Sequence, residues 1–117
     1  MSERSDKVRL IDMLETAERI VANMKDIDVE AFLADPDKRD ATVFRLQVIG
    51  EAAYNISDEL KEAHPEVEWF KIQGLRHKIV HDYYALDDRT IHHIAMDYVP
   101  PLVGQLKKIL DAGVEQK

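Results

Sequence analysis

The spacing of apolar residues is the feature that most constrains how this chain folds. They recur three and four positions apart over long stretches, and no strand-like alternation punctuated by Asn-Gly or Asp-Gly turns is visible. Only four Gly and four Pro occur in 117 residues. The sequence therefore predicts an all-α fold, an up-and-down bundle of four to five helices in one domain over residues 1–117.

Periodicity and capping signals set the expected helix ends. Ser5 or Asp6 is a suitable N-cap for the first helix, and Pro65 ends the second long one. Pro100 and Pro101 fall inside the last helix and predict a kink near Asp97. The expected helical segments are about 7–26, 29–33, 38–63, 75–84 and 89–110, with a short turn at 66–70.

The predicted helix 38–63 carries one broad apolar stripe with a charge inside it. Arg45 lies in this stripe, where a charged side chain is unusual. Its stem either snorkels from the edge of the bundle, or the guanidinium faces a partner chain or an anion. The stripe consists of Ala41, Phe44, Val48, Ile49, Ala52, Ile56, Leu60 and Ala63.

Charge and composition exclude several classes of function. With 16 basic and 23 acidic residues the formal charge is −7, which argues against a general coat for duplex DNA but leaves room for a small basic site. The absence of Cys removes disulfides and thiolate metal sites. No signal peptide and no apolar run of membrane-spanning length is visible, so we expect a cytoplasmic protein with no membrane association.

The segment from Lys71 to His81 is a local basic island in this acidic chain. It holds Lys71, Arg76 and Lys78 without an acidic residue, and Tyr83 follows two residues after His81. A neutral imidazole can take a proton from a ribose 2′-hydroxyl, and a guanidinium can offset charge on an attacked phosphate without a metal. These residue types are typical of phosphoryl chemistry on RNA.

Helical geometry sets a condition on that chemistry. At about 100° per residue Arg76 and Tyr83 share a face, whereas Arg76 and His81 differ by about 140°. Either the helix begins close to Arg76, just after Gly74, or a second subunit completes the site.

Histidine spacing also raises the question of a metal site. His77 and His81 lie four residues apart, and His92 and His93 are adjacent. Two His at this spacing can share a metal, but no His-Glu-x-x-His pattern supplies a third ligand. We therefore expect surface or core histidines and no metal or other cofactor.

Two stretches carry a resemblance to a known family. They are RLQVIGEAA at residues 45–53 and HPEVEWFKIQGLRHKIVHDY at residues 64–83, and the second contains Arg-x4-His-x-Tyr as Arg76, His81 and Tyr83. The chain resembles the HepT branch of the HEPN superfamily over nearly its whole length. His77 stands where that family commonly has Asn.

The resemblance implies an α-helical homodimer whose two motifs line a shared cleft. It also implies a metal-independent ribonuclease toxin, paired with a minimal nucleotidyltransferase antitoxin that transfers AMP from ATP onto Tyr83. Arg76 and His81 would then be the catalytic residues, and an adduct on Tyr83 would lie beside Arg76 and block RNA. The accessory candidates are His77, Lys78 and Arg45.

A second hypothesis, from a different class of function, stays open. The chain could instead be a non-catalytic subunit that presents a substrate, or itself, to a nucleotidyltransferase. That hypothesis accounts easily for the formal charge of −7, whereas an enzyme that acts on RNA needs its positive potential concentrated in one cleft.

Overall fold

The chain folds into helices joined by short connections. A computed structural model describes residues 5–114, and every regular element in that range is helical, which confirms the all-α prediction. The α-helices there are α1 Asp6–Met24, α2 Val29–Leu33, α3 Pro36–Asn55, α4 Asp58–Ala63, α5 Trp69–His81, α6 Asp88–His93 and α7 Val99–Asp111. A 3-10 turn at Tyr83–Ala85 follows α5, and a π-helical segment at Ile94–Tyr98 joins α6 to α7.

Side-chain caps explain most of the helix starts. The Ser5 hydroxyl accepts the N–H of Val8 at the start of α1, which confirms one of the two predicted caps. Asp28, Asp35 and Ser57 cap α2, α3 and α4 in the same way. Each cap satisfies a backbone donor that has no partner within its own helix.

Helix α3 lies at the centre of the bundle. It packs against α1 on one side and α5 on the other, and α1 packs in turn against α7. The buried side chains of these four helices form one core. Helix α5 is therefore held mainly by α3, so the surface of α3 decides where the residues of α5 lie.

The predicted helix 38–63 is two helices. Ile56 is extended, with ψ 145°, and Ser57 begins α4 by accepting the N–H of Leu60. The Ser57 N–H and hydroxyl both donate to the carboxylate of Asp6, at 3.0 and 2.6 Å. The break therefore depends on a residue 51 positions earlier, which periodicity cannot reveal.

The buried face of α3 also differs from the predicted stripe. Ile49 and Ile56 are buried as predicted, but Phe44 is 64% exposed, and Val48 and Ala52 are only half-buried. Because α3 packs against two helices, its core face is broad and rotated from the predicted one. The buried residues of α3 are Thr42, Val43, Leu46, Ile49, Gly50 and Ala53.

Helix α5 begins earlier and ends earlier than predicted. It starts at Trp69, whose buried indole donates to the His64 carbonyl oxygen at 2.9 Å, so residues 69 and 70 are helical and not part of a turn. Gly74 lies exposed in the helix interior, and the helix ends at His81.

The last helical stretch runs without a break from Asp88 to Asp111. At the predicted kink near Asp97 it contains the π-helical segment, which lies just before Pro100 and Pro101, the two residues without an N–H donor. Within residues 5–114 no helix combines the length and apolar character needed to cross a membrane.

Candidate active site

Close approach of α3 and α5 positions Arg76. The two helices cross at Gly50, where an added Cβ would overlap the Cβ of Arg76 and lie 3.1 Å from the carbonyl oxygen of Ile72. Only glycine permits this separation without a shift of one helix. The absence of one side chain on α3 thus fixes the base of the Arg76 side chain.

The guanidinium of Arg76 lies against α3 and is held by two groups. Its Nε donates to Oε2 of Glu51 in an ion pair, and its Cζ lies 5.0 Å from the ring centroid of Tyr54. The Arg76 side chain is 27% exposed. We call Arg76, Glu51 and Tyr54 the Arg76 cluster; in it the guanidinium is oriented and partly neutralised while still accessible to solvent.

The rings of His81 and His77 contact each other at a tilt in the last turns of α5. Their ring centroids lie 4.3 Å apart with an interplanar angle of 49°, and both residues are exposed. His77, which stands where the resembling family commonly has Asn, therefore contacts the predicted catalytic imidazole directly.

Tyr83 lies in the 3-10 turn beyond α5 and contacts the start of α3. Its hydroxyl accepts from Nη1 of Arg39 at 2.8 Å and donates to Oδ1 of Asp40 at 3.1 Å. The Arg39 Cζ lies 4.8 Å from the ring centroid, and its Nε donates to Asp88 at 2.8 Å. We call these four residues the Arg39 cluster.

These contacts correct the predicted position of an adduct on Tyr83. The guanidinium beside the hydroxyl belongs to Arg39 and not to Arg76. The hydrogen bond to Asp88 is the main cause that raises the pKa of Arg39 above its ordinary value, so this side chain carries its charge at every physiological pH.

The structure does not bring the three motif side chains together within one chain. Across the described residues, Arg76 shares no hydrogen bond, ion pair or ring contact with His81 or Tyr83. The alternative in which the helix begins close to Arg76 is wrong, because α5 starts at Trp69 and is a regular helix through His81. The geometry in which a second subunit completes the site stays a prediction.

The basic island is less positive in the fold than in the sequence. Lys71 pairs with Glu68 at 2.8 Å, which raises the pKa of the lysine, and Arg76 pairs with Glu51. Lys78 is exposed, and Arg45 is half-buried on α3. Acidic residues from outside the segment thus compensate part of its charge.

The two adjacent histidines of the last helical stretch have separate neighbours. A ring nitrogen of His92 lies 2.7 Å from the carbonyl oxygen of Ile27, whereas Nδ1 of His93 lies 2.6 Å from the carboxylate of Asp97. Among residues 5–114, no group of three or more His, Asp and Glu side chains is placed to hold a metal ion.

Comparison with known proteins identifies the family. The sequence profile of the family described as Ribonuclease HepT-like matches residues 13–109. The chain belongs to the HepT-like ribonuclease family. The resemblance seen in the sequence is thereby confirmed, and ribonuclease is the class of enzyme that these comparisons support.

Individual relatives match the HepT-like chain over most of its length. A "Probable ribonuclease HepT" of Thermococcus cleftensis is 34% identical over 92% of this chain and 97% of its own. A "Putative RNase" of Caldanaerobacter subterraneus subsp. tengcongensis is 36% identical over 84% and 88%, and one of Methanocaldococcus jannaschii is 34% identical over 92% and 98%. No solved structure matches the chain.

Sequence reasoning missed the α3 residues of both clusters. Glu51 and Tyr54 hold Arg76, and Arg39 and Asp40 hold Tyr83. The one available signal was an acid directly after Gly50, in a segment already identified by its resemblance to the family.

Proposed function

We propose that this HepT-like chain is an endoribonuclease that cleaves RNA without a metal ion. The ribose 2′-hydroxyl attacks the adjacent phosphorus, the bond to the 5′-oxygen breaks, and a 2′,3′-cyclic phosphate remains. His81 transfers the proton as general base or acid, and Arg76 binds the phosphate and stabilises the charge of the transition state. The exposed His77 and Lys78 are accessory residues beside this path, as is Arg45 on α3.

The orientation of Arg76 is the observation that carries this proposal. Among contacts with described residues its hydrogen bonding engages Nε alone, which leaves both Nη amines to donate to a phosphate. Glu51 and the Tyr54 ring hold the guanidinium plane in place beforehand. An oriented fork with free donors is what recognition of a phosphate requires.

The proposed enzyme is a homodimer. Among the described residues of one copy no contact joins Arg76 to His81, so we expect a second copy to place an imidazole opposite the arginine. The outward face of α3 is a suitable surface, because Phe44 is 64% exposed beside half-buried Val48 and Ala52, next to Glu51. These residues line a groove of about 370 Å³ between α1 and α3. A stable interface of this kind buries about 800 Å² per partner.

Modification of Tyr83 is the proposed control of the nuclease. In this proposal the chain is the toxin of a toxin–antitoxin pair, and a minimal nucleotidyltransferase transfers AMP from ATP onto the Tyr83 hydroxyl. The side chain is 37% exposed and follows His81 by two residues. A nucleotide at that place adds bulk and negative charge at the end of α5, where RNA has to enter.

RNA cleavage in EDTA tests the catalytic proposal. Purified protein should cleave single-stranded RNA, leave 2′,3′-cyclic phosphate ends and fail on a substrate with deoxyribose at the cleaved position. His81→Ala should lower the rate by about 10²–10⁴-fold while the protein stays folded. Cleavage that requires Mg²⁺ and leaves 5′-phosphate ends contradicts the mechanism. Binding of RNA without cleavage favours the non-catalytic subunit.

Incubation with ATP and a minimal nucleotidyltransferase of the proposed kind tests the control. We expect an AMP adduct on Tyr83 and loss of RNA cleavage, whereas Tyr83→Phe should escape modification and stay at least partly active. Full nuclease activity of the adduct contradicts the switch and leaves the nuclease proposal standing.

A further inference from the structure

The Tyr83 hydroxyl lies between a base and a cation. It donates its proton to the Asp40 carboxylate at 3.1 Å and accepts from the Arg39 guanidinium at 2.8 Å. Asp40 is 62% exposed, so a proton that it takes can pass on to water. This is the arrangement by which enzymes activate a hydroxyl nucleophile: a carboxylate for the proton and a positive charge beside the oxygen.

The other tyrosines lack this arrangement although they are more exposed. Tyr84 is fully exposed, and Tyr54 and Tyr98 are 56% and 51% exposed, against 37% for Tyr83. Within the described part of the chain, none of these three hydroxyls donates to a carboxylate. Accessibility alone would therefore favour Tyr84 as the site of modification, whereas chemistry favours its neighbour.

We propose that Asp40 and Arg39 form a nucleotidyl-acceptor site with Tyr83, an inference that rests on the proposed control of the nuclease. The Tyr83 oxygen attacks the α-phosphorus of a nucleoside triphosphate, and the new O–P bond forms as the bond to the β-phosphate oxygen breaks. Pyrophosphate leaves with the electron pair, and the phenolic proton passes to Asp40 and then to water. Arg39 binds the non-bridging oxygens of the transferred phosphate.

The contacts of Arg39 suit it to bind the transferred phosphate. Its Nε is fixed by Asp88 and its Nη1 by the Tyr83 hydroxyl and Asp40, while the Nη2 amine donates to no described residue. Only 14% of the side chain is exposed, so its charge acts in a setting less screened than open water. A phosphate on Tyr83 therefore meets an oriented donor that is already charged.

A chemical donor tests the site without any partner enzyme. Adenosine 5′-phosphorimidazolide transfers adenylate to a nucleophile with imidazole as leaving group, and peptide mass spectrometry then locates the label. We expect Tyr83 to be labelled faster than Tyr84 in the wild-type chain. Asp40→Asn should slow labelling of Tyr83 at least tenfold, because a positioned base contributes about 10²–10⁴-fold.

Matched variants separate chemistry from folding. Asp37→Asn makes the same charge change in the exposed first turn of α3 and should label Tyr83 at the wild-type rate. Asp40→Glu restores a carboxylate and should recover part of the rate lost in Asp40→Asn. Arg39→Lys keeps the charge without the fork and should fall between the wild type and Asp40→Asn.

Two results overturn the inference: preferential labelling of Tyr84, or labelling of Tyr83 in Asp40→Asn at the rate of the wild type. Failure of the proposed control of the nuclease is seen in a different measurement, the RNA cleavage rate of the labelled chain. A chain labelled on Tyr83 that cleaves RNA at the full rate refutes the switch, while the acceptor chemistry of Asp40 and Arg39 stands.

Discussion

The Arg76 cluster and the Arg39 cluster are built from the same parts with the helices exchanged. In each, an arginine lies over a tyrosine ring and pairs with a carboxylate, but Arg76 belongs to α5 and its tyrosine to α3, whereas Arg39 belongs to α3 and its tyrosine follows α5. The two clusters differ in the number of hydrogen-bonded partners that hold the arginine. Among the residues that the structure describes, Arg76 has one hydrogen-bonded partner, Glu51, and Arg39 has Asp88, Asp40 and the Tyr83 hydroxyl.

This difference separates a guanidinium that can bind a further partner, that of Arg76, from one whose donors are largely engaged, that of Arg39. A phosphate can bind the Nη amines of Arg76 while Glu51 keeps Nε, because the pair is partly solvated. Arg39 joins the start of α3, the 3-10 turn and the start of α6, so its loss loosens three elements at once. We therefore expect substitutions in the Arg76 cluster to lower activity, and those in the Arg39 cluster to lower stability.

Among substitutions in the two clusters, Arg76→Ala should have the largest effect. Loss of a group that stabilises transition-state charge lowers the rate of RNA cleavage by about 10²–10³-fold. Stability should change by less than about 1 kcal/mol, because partly exposed ion pairs contribute little. Single-turnover cleavage and urea unfolding measure the two quantities. An unfolded Arg76→Ala chain would assign Arg76 a structural role.

Gly50→Ala should damage the Arg76 cluster through packing. The new methyl group overlaps Arg76 Cβ, and overpacking of this kind costs about 1–3 kcal/mol. Cleavage should fall as well, because α5 moves away from Glu51 and Tyr54. Gly74→Ala is the matched control, since nothing lies within 4 Å of an added Cβ there and alanine favours a helix interior by about 0.5–1 kcal/mol. Equal stability of the two variants contradicts the close approach.

Arg39→Ala should destabilise the fold more than Arg76→Ala does. Within the described residues it removes three hydrogen bonds of a side chain that is only 14% exposed, against one for Arg76, and each such bond contributes about 0.5–1.5 kcal/mol. Urea unfolding of both variants side by side measures the contrast. If Arg76→Ala proves the less stable of the two variants, Arg76 and not Arg39 is the arginine that stabilises the fold.

Lys71→Gln should have the smallest effect. The pair of Lys71 with Glu68 is exposed on both sides, and solvent screening leaves such pairs little effect on stability. The unfolding midpoint should therefore stay close to that of the wild type. A marked loss of RNA cleavage in this variant would show that the basic island binds substrate beyond Arg76.

Local signals predicted the class of fold and several helix ends. Ser5, Asp28 and the two prolines of the last helix act on residues within four positions, so their effects are readable from the sequence. The break after Asn55 depends on Asp6, and the start of α5 has no side-chain cap, so neither could be read there. Tertiary contacts decided both.

The same distinction applies to the site. Arg76, His81 and Tyr83 were found because they share one short motif, whereas the contacts that hold Arg76 and Tyr83 come from α3, 25 residues before Arg76 and 44 before Tyr83. Spacing within the motif holds no information about these partners. Helical geometry alone ignores contacts with other helices. It therefore placed Tyr83 beside Arg76, whereas the structure places it beside Arg39.

The double hydrogen bond between Asp6 and Ser57 has a consequence for the dynamics of the chain. It ties the first turn of α1 to the junction of α3 and α4, directly after the part of α3 that carries Glu51 and Tyr54. Exchange of the Ser57 amide hydrogen with solvent deuterium requires this tie to open. That single amide therefore reports how often the end of α3 detaches from the amino-terminal helix, on timescales far slower than side-chain motion.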